Sequence, residues 1–198
     1  MRSPGIVEQS DLFVCSAPCV NILGCNMDNH SSRKTLRLNA FDYSYNNAFF
    51  VTICTYNKRS ILSRIRRSDP CVRPTVELSE VGLIAEKVLH KIEQTYDILL
   101  DEYVIMPNHI HMIIIISPES GSEKITVSLG NVIGAYKSIV VNEFRKLCND
   151  KHLKMGKIWH RNYYEHIIRN HKDLKEIRDY IYNNPIRWYF RENTSSSL

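Results

Sequence analysis

The chain has 198 residues, 43% of them hydrophobic, enough for one well-buried core and therefore one domain. No apolar run is long enough to cross a bilayer, and no basic segment leads into an apolar stretch near Met1, so neither a membrane anchor nor a secretory signal is expected. The cysteines (Cys15, Cys19, Cys25, Cys54, Cys71 and Cys148) form no regular framework, which fits a reducing, cytoplasmic setting.

The net charge of +5 is unevenly spread: residues 124–198 hold 14 basic and 7 acidic side chains, so they carry +7 and the first 123 residues −2. Lys58, Arg59, Arg64, Arg66, Arg67 and Arg73 make a second basic cluster. Clustered Lys and Arg suit phosphates, because neutralising a polyanion releases its counterions. A solvated surface accounts equally well for charge alone.

In chain order, residues 1–35 lack hydrophobic periodicity and read as a poorly structured tail. Its Cys15, Cys19, Cys25 and His30 lack the close cysteine pair usual in structural zinc sites. Residues 47–56, "NAFFVTICTY", are aromatic and β-branched and predict a first strand. Ser79 can cap a helix carrying Val81, Ile84, Val88 and Ile92 on one face. Residues 98–105 predict a second strand, turned by "MPNH" into a third at 109–116. A loop over 117–128 leads to a second helix with Ile133, Tyr136, Val140, Phe144 and Leu147 on one face. Residues 158–168 predict a fourth strand, and Asn170 with Asp173 starts a third helix that Pro185 is expected to end. This order predicts an α+β fold, a ferredoxin-like antiparallel sheet with one extra helix. The domain is expected over 36–192, with 193–198 a short tail.

The third strand opens on His109 and His111, which project to one face because residues i and i+2 of a strand do. Two neutral imidazoles side by side suit a metal ion, yet hydrogen-bonded structural histidines fit the spacing as well. A third ligand could come from the last helix. Tyr180 and Asn184, four residues apart, share a face beside the apolar stripe of Leu174, Ile177 and Ile181, while Tyr182 turns away. A packing tyrosine and a capping asparagine are the structural alternative.

The stretches "FDYSYNNAFFVTICTYNKR", "DEYVIMPNHIHMI", "GAYKS", "WHRNYYEHIIRN" and "YIYNNPIRW" together resemble the REP-associated tyrosine transposases, members of the HUH group of single-tyrosine endonucleases. The resemblance covers about residues 36–190. It implies the HUH palm, with the nucleophile on the C-terminal helix, and cleavage and transfer of single-stranded DNA through a 5′-phosphotyrosine with a free 3′-hydroxyl. By this resemblance Tyr180 is the nucleophile, His109, His111 and Asn184 are metal ligands, and the ion is Mg2+ or Mn2+. The partner implied is single-stranded or hairpin DNA formed by palindromic repeats, bound by a monomer or homodimer in the cytoplasm, at the nucleoid. Lys137, Ser138, Arg161, Arg169, Arg187 and Trp188 are candidates for phosphate contact and base stacking. His160 and His166, in the fourth strand, could approach the metal site.

Three other readings compete. One is a catalytically silent hairpin-DNA-binding protein, against which stands the presence of all four residues the chemistry needs. A histidine-dependent enzyme transferring phosphoryl groups on small nucleotides would want a third alternating histidine where Ile113 stands. A zinc hydrolase would want a carboxylate base near the pair.

Overall fold

The computed structural model describes residues 47–195 except 68, 70, 97 and 117–126. The tail cysteines, His30 and most of the 117–128 loop therefore lie outside the described residues. Four strands form the main sheet: β1 (Asn47–Cys54), β4 (Ile98–Ile105), β5 (His109–Ile116) and β6 (Tyr164–Ile168). Their spatial order is β4-β5-β1-β6, every pair antiparallel, which is the ferredoxin-like arrangement expected. β5 and β1 are central, and their hydrophobic runs follow from burial on both faces.

Alternation decides which side chain meets which layer. Phe49, Val51 and Ile53 of β1 join Ile110, Met112 and Ile114 of β5 in the larger core. That core is covered by α1 (Glu80–Thr95) and α2 (Leu129–Asp150). Ser79 caps α1, its hydroxyl accepting the Gly82 N–H at 3.1 Å. The expected face of α1 is buried at Val81, Val88 and Ile92, with Ala85 and Leu89 joining it. α2 ends in a Schellman turn: the Leu153 N–H bonds the Cys148 carbonyl at 2.8 Å, and His152 takes the left-handed conformation.

The opposite face of the sheet carries α3 (His171–Ser195), docked through Ile177 and Ile181 onto Phe50 and Ile113. Asn170 caps it as expected, accepting the Asp173 N–H at 2.8 Å. Pro185 does not end the helix, contrary to the sequence reading. A mid-helix proline removes one backbone bond and crowds the preceding turn, a cost of about 3 kcal/mol. Tertiary contacts on both sides of the proline offset it. Pro185 and Trp188 are buried, Arg73 lies over the Tyr182 ring at 3.5 Å, and Arg67 lies over Tyr189 at 5.5 Å and Phe190 at 5.4 Å.

Those arginines belong to a hairpin absent from the sequence reading, β2 (Ser63–Arg66) and β3 (Thr75–Leu78). Strands of four residues each, one of them half arginine, give too weak a period-2 signal to stand out. The fourth strand is also shorter than expected. Residues 158–163 are loop, fastened to the end of β1 where Trp159 bridges Thr55 and the His160 N–H bonds the Cys54 carbonyl.

Candidate functional site

Antiparallel pairing puts Thr52 opposite His111 and Cys54 opposite His109, all on the face that α3 covers. Both imidazoles are buried, with ring centroids 4.4 Å apart and edges turned toward each other at 69°. Each has a hydrogen-bond partner at Nδ1. Asn108 Oδ1 lies 2.7 Å from His109 Nδ1, and an amide oxygen only accepts, so His109 carries its proton on Nδ1 and a lone pair on Nε2. His111 Nδ1 faces Thr52 Oγ1 at 2.9 Å, while its Nε2 faces the Tyr180 hydroxyl at 3.3 Å. Either imidazole nitrogen of His111 can hold the proton in that chain, because both hydroxyls donate or accept.

Burial depresses both histidines. His109 is lowered to about 3, by desolvation first and then by repulsion from the Arg191 guanidinium. His111 lies well below its ordinary value, again by desolvation first and then by the neighbouring His109. Near pH 7 both rings are therefore neutral, the form in which imidazole donates a lone pair.

The last helix runs along the sheet so that successive turns meet successive histidines. Tyr180 packs edge-on against Phe50, ring centroids 6.0 Å apart, and within 5.2 Å of the His111 ring. Two turns later Trp188 lies 5.8 Å from the His109 ring. Asn184, buried on the same face one turn from each, is bracketed by those two contacts. The helix is held in this rotation by its apolar docking and by a forked bond from Arg178 to Asp101 of β4, at 2.6 and 2.7 Å. Among the described residues no cluster of three His, Cys, Asp or Glu side chains could hold a metal. An ion here would depend on Asn184 as the third protein ligand. The donor set fits one: two neutral imidazoles with their Nδ1 atoms engaged, plus an amide.

Of the other residues picked from sequence, Arg187 is exposed and lies over the Tyr180 ring at 5.4 Å. Trp188 is only 5% exposed, and its indole N–H has no hydrogen-bond partner among the described residues. Lys137 and Ser138 sit on α2, across the sheet. The Lys137 ammonium donates to the carbonyls of His160, Arg161 and Asn162 at 3.2, 3.4 and 3.0 Å. Arg161 and Arg169 are exposed on the connections either side of β6. His166 pairs with Asp173 at 3.0 Å, and His160 Nδ1 accepts the Asn162 N–H at 3.3 Å, so each is engaged elsewhere. Sequence reasoning missed Thr52, Asn108 and Arg191. Asn108 could have been found inside "MPNHIH", and Thr52 by its alternation with Phe50. Arg191 stands one turn beyond Arg187.

A ferredoxin-like sheet whose central strand presents His-x-His to a tyrosine on a covering helix has the architecture of the HUH single-tyrosine transposases. Residues 50–184 match the family model described as IS200-like transposase, and the chain belongs to that family. Its activity class is thus that of a DNA transposase. An uncharacterized protein of Haemophilus influenzae (strain Rd) is 31% identical over 175 residues, covering 79% of this chain and 89% of its own. A second protein of that organism, described as a candidate REP-associated tyrosine transposase, is 30% identical over 88 residues, 42% of this chain and 47% of its own. Among solved structures, a REP-associated tyrosine transposase bound to a REP hairpin matches at 22% identity with a TM-score of 0.50. The match covers 76% of this chain and 73% of that one. At that identity the likeness shows the fold.

Proposed function

We propose that the domain spanning 36–192 is a metal-dependent single-strand DNA endonuclease and strand transferase with Tyr180 as its nucleophile. The observation that carries this reading is the Tyr180 hydroxyl 3.3 Å from His111 Nε2, on a helix whose next turn brings Asn184 to the same histidine face. A tyrosine kept only for packing has no need of a hydroxyl directed at a buried imidazole.

Asn108 holds the His109 proton on Nδ1, and in the metal-binding tautomer Thr52 would hold that of His111, so that both Nε2 lone pairs would face the gap beneath α3. His109, His111 and Asn184 would hold Mg2+ or Mn2+ there. The bound ion would withdraw charge from a scissile phosphate and favour ionisation of a nearby phenol. Tyr180 Oη then bonds to phosphorus as the bond to O3′ breaks. The phenol gives up a proton and the departing 3′ oxygen gains one, leaving a 5′-phosphotyrosine and a free 3′-hydroxyl. A later 3′-hydroxyl reverses the step and joins strands. Burial keeps His111 a weak base, so in the metal-free protein its Nε2 orients the Tyr180 hydroxyl rather than removing its proton, and that lone pair would pass to the ion on binding. Arg187, which lies over the Tyr180 ring, would neutralise phosphate charge near the nucleophile.

The partner is single-stranded DNA beside a hairpin of palindromic repeats, in line with the hairpin bound by the structural neighbour. Incubation of the full chain with such a strand and Mn2+ should trap a covalent protein–DNA adduct that survives denaturation. Tyr180→Phe should abolish it. An adduct that persists in that variant refutes the assignment.

A further inference from the structure

Beyond the strand ends that carry the histidines, two connections are fastened into one surface. They are residues 56–60 after β1 and residues 152–162 before β6. The Tyr56 N–H bonds the Ile158 carbonyl at 2.7 Å, and the His160 N–H bonds the Cys54 carbonyl at 2.9 Å. Arg59 donates to the Lys157 carbonyl, and Thr55 bridges Trp159. The same surface is tied to the histidine strand by the Thr55 N–H, which bonds the Asn108 carbonyl at 2.9 Å.

Its charge is of one sign. The two connections hold five Lys or Arg (Lys58, Arg59, Lys154, Lys157 and Arg161) and no Asp or Glu. Lys154, Lys157 and Arg161 are exposed and form no ion pair among the described residues. The carbonyls of residues 160–162, which would repel an anion, are gathered onto the Lys137 ammonium. One aromatic ring joins the basic side chains: Tyr56, half-buried, lies 4.5 Å from the Lys157 ammonium. Asn57 and Lys58 both hold left-handed backbone, at φ 53° and 52°, a conformation that asparagine tolerates but lysine rarely adopts. A merely solvated loop has no reason to be pinned at three points, cleared of acids and strained at a lysine.

We infer that this two-loop surface is a platform for single-stranded nucleic acid, carrying the part of the strand that runs on from the scissile phosphate. Lys58, Lys157 and Arg161 take phosphates and Tyr56 takes a base by stacking. Arg187 and Arg191 extend the positive path from the platform to Tyr180, because α3 runs from His111 toward the His109 end of the sheet. The inference rests on the proposed activity for the position of the scissile phosphate. A single strand is favoured over a duplex because a ring set among cations offers a base a face that a paired stack hides.

The test is a salt titration of full-chain binding to labelled oligodeoxythymidine, which forms no hairpin, and to a blunt duplex. Combining Lys58→Ala, Lys157→Ala and Arg161→Ala should flatten the log K against log salt slope by about 2, from roughly 0.7 per lost single-strand contact. Tyr56→Ala should weaken single-strand binding about tenfold or more while leaving the slope unchanged. A control triple on the far helices, Lys87→Ala, Lys91→Ala and Arg145→Ala, should leave the slope as it was. The inference is overturned if the platform triple changes the slope no more than the control does. It is overturned equally if duplex binding falls as far as single-strand binding. Slope changes as expected without any Tyr180 adduct would refute the proposed chemistry and leave the platform standing. An adduct with an unchanged slope would do the reverse.

Discussion

Thr52→Val isolates one hydrogen bond. Valine keeps the shape and strand preference of threonine, so Phe50 and the β1 backbone stay in register, but nothing then faces His111 Nδ1. The lost bond is buried and 2.9 Å long, so the metal-free protein should lose about 1 kcal/mol, rising toward ~3 if the imidazole N–H is left unpaired. The larger effect should fall on the ion. Without Thr52, the proton can move to Nε2, the atom proposed to bind metal, and partners of metal-bound histidines are typically worth 10–100-fold in affinity. Mn2+ affinity, read as free Mn2+ by electron paramagnetic resonance, should therefore drop by about that factor. Thr52→Ser, which keeps the hydroxyl, should recover most of it. Histidine 15N spectra of the metal-free protein give an independent reading, with His111 Nε2 more protonated in the valine variant than in the wild type. A valine variant with wild-type Mn2+ affinity and an Nε2 no more protonated than in the wild type would refute the reasoning.

Two further predictions concern the fold around the site. Gly82→Ala should destabilise the protein by about 1–3 kcal/mol in urea, although alanine is the better helix former. Its Cβ would lie 2.0 Å from the Leu62 backbone oxygen, so a stability gain would contradict that close approach. Acid should destabilise the metal-free protein through the buried histidines. Above pH 6.5 they are neutral folded or unfolded and contribute nothing. Below it the unfolded chain takes up protons that the folded His109 refuses until about pH 3, so stability falls as pH falls across that window. From pH 6.5 to 5 the loss should be ~2 kcal/mol for His109, seen in urea midpoints with chelator present. His109→Gln should flatten that slope, and a slope unchanged in the variant would place the titrating group elsewhere.

Much of the architecture is legible in local chemistry. β4 and β5 fall where the sequence reading expects them, 98–105 and 109–116, because β-branched runs flanked by turn residues report a buried strand directly. Ser79 and Asn170 announce their helices through hydrogen bonds made within three residues. The i, i+2 spacing of His109 and His111, and the i, i+4 spacing of Tyr180 and Asn184, are likewise properties of single elements. Each spacing puts its pair on one face without saying what that face meets.

What the face meets is a tertiary matter. Thr52 and Asn108 become partners of the histidines only through the β1–β5 register and the turn before β5. The helix continues through Pro185 because Arg67 and Arg73, more than a hundred residues earlier, grip the turns around it. A local rule for proline cannot include such contacts. The basic residues of 56–60 and 152–162, scattered in sequence, become one surface only when Thr55 pairs with Trp159. By itself the sequence determined the ferredoxin-like elements and the two pairs of side chains the proposed chemistry needs, since helix and strand periods are local. Only the tertiary structure decided that Tyr180 meets His111, that each histidine has a partner at Nδ1, and where the positive surface lies, since those depend on chain segments meeting across the sheet.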